Sequence, residues 1–329
     1  MTFLKLLPNF LPIPSQKLPL TLIYLYDWVL VTINEIDAKK YLQGQFTCDL
    51  LSLKKNHFSF SGQCNETGKI LSTFYVFNYK KKNSIAYITR KSIHNKQINQ
   101  LLKYSIFSQI KITTHNDTLL IGLSGKNAIN VFKIFFHRTL NVLIQPVMMH
   151  NNYVALYFNF PIPRFLLITY KNTIQKLQNK LKNFAKFRNS KQWLALDIEA
   201  KYPIIDDISY NKFFPQDINL QYLNGINFNK GCYIGQEMIM KYQYKKNIRF
   251  SLYFLISKGK KLPLSGENLE INIQNQWYFI GKVLTSCKMI NNNIWIQAIL
   301  KNQLISNNII RTENQHILCN IHQKHKNHY

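Results

Sequence analysis

Cysteine, acidic residues and long apolar runs are all scarce in this chain, and each shortage excludes a class of protein. The 329 residues hold five cysteines, Cys48, Cys64, Cys232, Cys287 and Cys319, with no CxxC pair. That excludes a disulfide framework and a cluster-binding cysteine quartet, and it predicts a reducing, cytoplasmic setting. The longest apolar stretch, Leu18 to Ile33, is interrupted by Asp27 and is too short to span a bilayer. Pro8, Pro12, Pro14 and Pro19 break any signal-peptide core near the start. A monomer without membrane attachment is expected. Acidic side chains number 15 against 42 Lys plus Arg, for a formal charge of +27. A surface that positive favours a polyanionic partner, either nucleic acid or an anionic membrane.

Arginine is scarce as well, at 6 against 36 lysines. Lys, Asn, Ile, Phe and Tyr, all with AT-rich codons, make up 155 residues, nearly half the chain. Drift toward A and T therefore raises lysine without selection for nucleic-acid binding, whereas bidentate phosphate contacts would favour arginine.

What is present reads as mixed α and β. Residues 21–33 form two strands meeting at a turn. A short helix follows over 36–43, with Asp37 able to cap it and Gly44 to end it. Segments 57–63, 70–79 and 84–89 have strand character, and Ser92 can cap a helix running to about Phe107. A second pass starts near residue 110, as a strand, a turn at Gly122 and Gly125, and a helix. Lys126 and Asn127 do not complete a phosphate loop, so an ordinary strand–helix turn is expected. Over 172–187, Ile174, Leu177, Leu181, Phe184 and Ala185 share one helical face, and Ser190 can cap a further helix, KQWLALDIEA. From Phe250 onward, period-two strands separated by Gly, Pro and Asn turns predict a small barrel or sandwich.

The most informative segment is GINFNKGCYIGQEMIMKY, residues 225–242. Gly231 and Gly235 bracket Cys232, Lys230 precedes it, and Gln236 and Glu237 open a predicted helix. A thiol beside a lysine and near a helix N-terminus is the setting that lowers a cysteine pKa; the alternative is a small buried hydrophobe in a tight turn.

Lys230, Gly231, Cys232, Tyr233, Gly235, Gln236 and Glu237 together resemble the signature of the YgfZ family of folate-binding, tRNA-modifying proteins, relatives of the glycine cleavage aminomethyltransferase. DWVLVTINEIDAKKYLQGQFTCDL at 27–50, NSKQWLALDIEAKYPIID at 189–206 and FFPQDINLQYLNGINFNKGCYIGQEM at 213–238 extend the resemblance. It covers about residues 20 to 300 in the same order. The resemblance implies an α+β fold with three domains around a central channel. Residues 1–112 would form an N-terminal folate-binding region. Residues 113–243, carrying the cysteine motif, would form a second region interleaved with the first, and 244–329 a C-terminal β-barrel with a polar tail. It also implies that tetrahydrofolate, or a folate derivative, stacks on Trp28 and Trp193, with Cys232 facing the channel as the candidate reactive thiol. Indole faces suit a flat pterin, and lysines suit its glutamate tail. Trp277 and Trp295 are expected in the barrel core.

The implied role is an accessory protein for tRNA modification, linked to iron–sulfur tRNA-modifying enzymes and with no turnover assigned. A one-carbon transferase is the second alternative. The related aminomethyltransferases carry an acidic residue where Ser72 stands here, and Glu66 lies earlier in the turn. Lys241 stands where the family offers arginine, and Lys201 where it offers glycine; Glu199 could bond a pterin edge or remain a surface charge. The third alternative is a basic RNA-binding module without folate, based on KYQYKKNIRF at 241–250. The His316, Cys319, His322, His325 and His328 tract is expected to be a frayed tail, and no metal site is expected.

Overall fold

The computed structural model describes residues 10–81, 83–136, 145–244, 248–302 and 309–322. In chain order, β1 (Thr21–Tyr24), β2 (Trp28–Asn34) and α1 (Ala38–Gln43) come first. They are followed by β3 (Phe58–Cys64), β4 (Ile70–Asn78), β5 (Ile85–Arg90), α2 (Lys91–Lys103) and β6 (Lys111–His115). The second pass comprises β7 (Leu119–Ser124), α3 (Ala128–Phe136), β8 (Val147–His150), β9 (Tyr153–Phe158), β10 (Arg164–Thr169), α4 (Lys171–Leu181), β11 (Lys186–Arg188) and α5 (Ser190–Glu199). After α6 (Gln236–Tyr244) come the barrel strands: β12 (Phe250–Lys258), β13 (Asn268–Ile273), β14 (Gln276–Lys288), β15 (Asn293–Lys301), β16 (Ile310–Thr312) and β17 (Leu318–Ile321).

These strands form a five-stranded sheet ordered β3-β4-β5-β2-β6, a six-stranded sheet ordered β11-β1-β7-β10-β9-β8, and a closed barrel. The α+β class and the C-terminal barrel agree with expectation. Every residue of β9 and β10 is buried, because both faces of the six-stranded sheet are covered. Val154, Leu156 and Phe158 face the five-stranded sheet, whereas Tyr153, Ala155 and Tyr157 pack with Phe132 of α3 and Leu177 of α4. The period of two along a strand thus divides one apolar run between two cores. On the far side, α1 and α2 cover the five-stranded sheet through Tyr41, Leu42 and Leu101. Helix α5 is wedged where all three assemblies meet. Its Trp193 and Leu196 enter the seam between the sheets, while Ala195 and Ile198 pack against Phe254, Met289 and Trp295 of the barrel unit.

Several local expectations are corrected. Helix α4 ends at Leu181, and Phe184 projects into solvent, because Lys186–Arg188 pairs with β1 as a parallel edge strand. Neither serine is a cap. Asn189 accepts from Lys191 N at the start of α5, freeing Ser190 to donate to Asp27, and Ser92 lies inside α2 and donates to Asp206. The tail is not frayed over its described part: Cys319 is 1% exposed in β17, which closes the barrel against β12. His325 and His328 lie outside the described residues. Trp295 is buried, whereas Trp277 is half-buried under the Arg311 guanidinium, 3.9 Å from the ring centroid.

The glycine turn after β7 has a steric cause. Gly125 has φ +94°, and a Cβ there would lie 2.0 Å from the Pro19 carbonyl oxygen. Lys201, just past α5, also sits in the left-handed region at φ +58°. A left-handed conformation costs a non-glycine residue about 1–2 kcal/mol, part of which glycine returns through its freer unfolded chain. Lys201→Gly is therefore expected to stabilise the protein by about 0.5–1 kcal/mol. Thermal unfolding followed by circular dichroism reads this as an upward shift in Tm; a downward shift would refute it.

Candidate functional site

Trp28 opens β2 and is 4% exposed; Trp193, in the first turn of α5, has no exposed surface. The fold brings both into one buried cluster in the seam between the two sheets. Each indole carries an arginine. The Arg90 guanidinium lies 4.4 Å from the Trp28 ring centroid, and that of Arg164 lies 4.3 Å from Trp193. Two carboxylates anchor these arginines. Arg90 donates through Nε and Nη2 to both oxygens of Asp206, at 3.1 and 3.3 Å. Arg164 Nη2 donates to Asp197 Oδ1 at 2.7 Å, both side chains being fully buried. The Tyr75 hydroxyl donates to the other Asp197 oxygen at 3.4 Å. Burial pushes the Asp197 carboxyl above its ordinary value, and Arg164 pulls it back.

Gly122 has a packing reason beyond any turn. A Cβ there would lie 2.6 Å from the Trp193 ring, so only glycine lets β7 run flat beside the indole. In this seam, Trp193 Nε1 and Arg164 Nη1 are buried donors with no acceptor among the described residues. Buried donors are almost always satisfied, so these two mark a place for a water molecule or a ligand oxygen. Sequence inspection missed Arg164, Asp197, Arg90 and Asp206. Their signal was the scarcity of arginine itself: in a lysine-rich chain, a retained guanidinium marks a place where an ammonium will not serve.

The KGCYIGQE loop packs elsewhere, against the end of α1 and the β3–β4 turn. Ile234 N donates to Gly44 O at 3.0 Å, and a Cβ on Gly235, at φ +80°, would lie 2.4 Å from Asn65 O. Gly231 shows no such constraint, with open space around its Cβ position. Lys230 is turned into the protein, where Nζ donates to the carbonyls of Gln43, Phe46 and Cys48 at 2.6, 2.5 and 2.8 Å. It also lies 4.6 Å from the Tyr233 ring centroid. Burial pushes its ammonium down to about 8, with Cys48 and Asp49 acting in the opposite direction. The lysine is thus committed to three carbonyls, and Cys232 is exposed. Gln236 closes the loop, donating to Lys230 O at 3.2 Å and accepting from Tyr233 N at 3.3 Å. Glu237 is exposed in the first turn of α6, where the helix dipole favours an anion. Tyr233 belongs to a different buried cluster from the tryptophans, and Phe60 packs against both.

The remaining candidates have structural partners. The Ser72 hydroxyl is buried 3.0 Å from that of Thr89. Glu66 accepts from Tyr104 and Lys103, and the Tyr104 bond leads in pulling its carboxyl down to about 2. Glu199 accepts from Ser15 Oγ at 2.8 Å. In the 241–250 run, Tyr242 stacks on Phe214 and donates to Asp217, Lys241 and Tyr244 are exposed, and residues 245–247 lie outside the described set. Among the described residues no helix is long and apolar enough to cross a membrane, and no three His, Cys, Asp or Glu side chains are grouped to hold a metal ion.

Comparison with known proteins places this geometry. By structure, the chain is similar to the glycine cleavage system aminomethyltransferase T from Bartonella henselae. The TM-score is 0.78 with 14% identity, over 95% of this chain and 90% of that one, a likeness of fold. By sequence, it is 43% identical over 303 residues to the tRNA-modifying protein YgfZ of Sodalis glossinidius, covering 92% of each chain. It is 40% identical over 301 residues to the protein of that name from Photorhabdus laumondii, covering 91% of this chain and 90% of that one. A family model described as the YgfZ β-barrel domain matches residues 248–315. Identity at that level over nine-tenths of both chains carries the assignment: the chain belongs to the YgfZ family.

Proposed function

We propose that this protein is a folate-binding accessory factor for tRNA modification, with tetrahydrofolate held in the seam at Trp28 and Trp193. One observation carries the proposal: the seam contains two tryptophans, each stacked with an anchored arginine, together with two buried donors that have no acceptor among the described residues. A pterin offers a flat π face and carbonyl and ring-nitrogen acceptors, which matches aromatic surfaces and orphaned donors. Arg164 covers one face of Trp193, so stacking on that face is coupled to movement of Arg164. Trp193 Nε1 and Arg164 Nη1 are the donors a pterin oxygen would satisfy. The chain's residues would orient bound folate and exclude water from it. The exposed thiol of Cys232 is the group assigned to reaction with a partner. Names of relatives and the likeness of fold to an aminomethyltransferase support this reading. We extend it, on the family resemblance alone, to service of iron–sulfur tRNA-modifying enzymes.

A one-carbon transferase is the less favoured reading. Ser72 is a buried hydroxyl paired with Thr89, and Glu66, held near pKa 2 by Tyr104 and Lys103, is a poor general acid or base at neutral pH. Release of 5,10-methylenetetrahydrofolate from an aminomethyl donor would restore it.

The test is tetrahydrofolate titration, followed by tryptophan fluorescence and by calorimetry. Truncating buried Trp193 to alanine would cost about 3–5 kcal/mol of stability, so phenylalanine is the informative replacement. Trp28→Phe and Trp193→Phe are each expected to weaken binding about tenfold, the second through loss of its Nε1 donor. Absence of heat and of quenching with the folded wild type would remove folate from the account.

A further inference from the structure

All fifteen acidic residues lie outside positions 118–196, a stretch that supplies eleven lysines and arginines. This stretch builds most of the six-stranded sheet with α3 and α4. Among the described residues, the only ion pair it makes is Arg164 with Asp197. AT-driven drift raises lysine everywhere, but it does not clear carboxylates from one lobe of a protein. On the outer face of that lobe, α3, α4 and the β8–β9 hairpin enclose a groove of about 710 Å³.

The floor of the groove is aromatic and its rim is cationic. Tyr153 is 4% exposed and lines the groove, and its hydroxyl has no partner among the described residues. His150 stacks on Tyr153 at 5.3 Å with an interplanar angle of 22°, and the Phe136 ring lies 4.2 Å from it. Lys176 and Lys180 of α4 line the same space, with Lys180 Nζ 5.5 Å from the Phe135 ring centroid. The positive surface continues past the edge strand β8. Met149, which precedes His150, lines a second groove of about 430 Å³ that carries Lys39, Lys55, Lys80 and Lys81.

The structure assigns this face to a single-stranded RNA segment, with a base against the His150–Tyr153–Phe136 floor and phosphates on Lys176 and Lys180. Single-strand recognition combines a cationic track with aromatic platforms, and this groove has both. A recessed floor with an unsatisfied hydroxyl suits a base, which has a π face and edge acceptors. A bilayer surface would not reach it, and an acidic peptide would leave the floor unused. The second groove carries the neighbouring phosphates around the β8 edge. The assignment rests on the tRNA-modification reading and names the surface through which RNA is touched.

The test is fluorescence anisotropy of a labelled U12 oligonucleotide with the full-length protein between 50 and 200 mM KCl. The Lys176→Gln/Lys180→Gln variant is expected to bind about tenfold more weakly, with its salt slope shallower by about 1.4, two phosphates at about 0.7 each. Tyr153→Phe is expected to weaken binding about threefold, through loss of one hydrogen bond, with an unchanged unfolding midpoint. Lys258→Gln/Lys261→Gln, at the end of β12 on the barrel, is expected to bind like wild type. Equal weakening by the barrel variant, or equal affinity for a duplex of the same length, would overturn the assignment. So would loss of binding to phosphatidylserine vesicles in the groove variant with no RNA binding by the wild type. Tetrahydrofolate titration of the same preparations separates the two readings: a wild type that binds folate but not RNA sinks this inference alone, and the converse sinks the folate reading alone.

Discussion

Replacing Asp197 by asparagine is expected to destabilise the protein by about 3–5 kcal/mol, because it leaves the Arg164 guanidinium buried without a counter-charge. Both side chains are completely buried, and their 2.7 Å bond is the only ion pair of this kind among the described residues. The energy lost is mainly the desolvation of the surviving charge, so removing both partners together behaves differently. Arg164→Met/Asp197→Leu fills similar volume with apolar atoms and is expected to recover most of the loss, within about 1–2 kcal/mol of wild type. Urea unfolding of Asp197→Asn reads the first loss, and that of Arg164→Met, Asp197→Leu and the double variant measures the cycle. A double variant as unstable as the sum of the singles would refute the argument. The same variants report on the seam. With Asp197 gone, Arg164 above Trp193 keeps only the Phe160 carbonyl as a hydrogen-bond partner among the described residues, and a change in native tryptophan emission is expected to accompany the fall in stability.

The second large effect divides the cysteine motif into a structural part and a reactive part. Lys230→Met removes three hydrogen bonds from one buried ammonium to Gln43, Phe46 and Cys48, and is expected to cost about 3–5 kcal/mol. Arginine is not a substitute, since a planar fork cannot bring three donors from one nitrogen onto three converging carbonyls. Cys232→Ser, at an exposed position, is expected to change stability by less than about 0.5 kcal/mol. Chemical denaturation of both variants checks this. If Lys230→Met unfolds like wild type, or if Cys232→Ser is the unstable one, the division is wrong. With the division established, loss of function in Cys232→Ser reads as loss of chemistry, whereas loss in Lys230→Met reads first as loss of fold.

These two lysine and arginine roles show where sequence reasoning stops. KGC in one dimension places an ammonium beside a thiol. In three dimensions that ammonium ties residue 230 to residues 43–48, more than 180 positions away in sequence. Nothing local signals such a pairing. The arginines were closer to legible. Four of the five arginines among the described residues, Arg90, Arg164, Arg188 and Arg311, lie 3.9 to 4.4 Å from an aromatic ring centroid. A guanidinium stacks flat on a ring where an ammonium does not, which is a physical reason for keeping arginine against codon drift.

Helix ends were legible only in part. Asp37 and Gly44 flank α1, but the Asp37 carboxylate accepts from Gln109 N instead of capping the helix, and Ser92 and Ser190 are drawn away from capping by Asp206 and Asp27, each more than 110 residues distant in sequence. Phe184 continues the apolar helical face in sequence, but β1 pairs with Lys186–Arg188 and ends the helix first.

By itself, the sequence determined what depends on short-range periodicity. The alternation in the strands, the turns at Gly125 and Gly235, the C-terminal series of short strands and membership in the YgfZ family all follow from residues read in order. Tertiary structure alone decided which charges are buried together, which face of each tryptophan is covered, and where a lobe without carboxylates turns an aromatic groove to solvent. Those outcomes depend on partners brought together from distant positions, and the balance between desolvating a group and satisfying it is struck only where they meet.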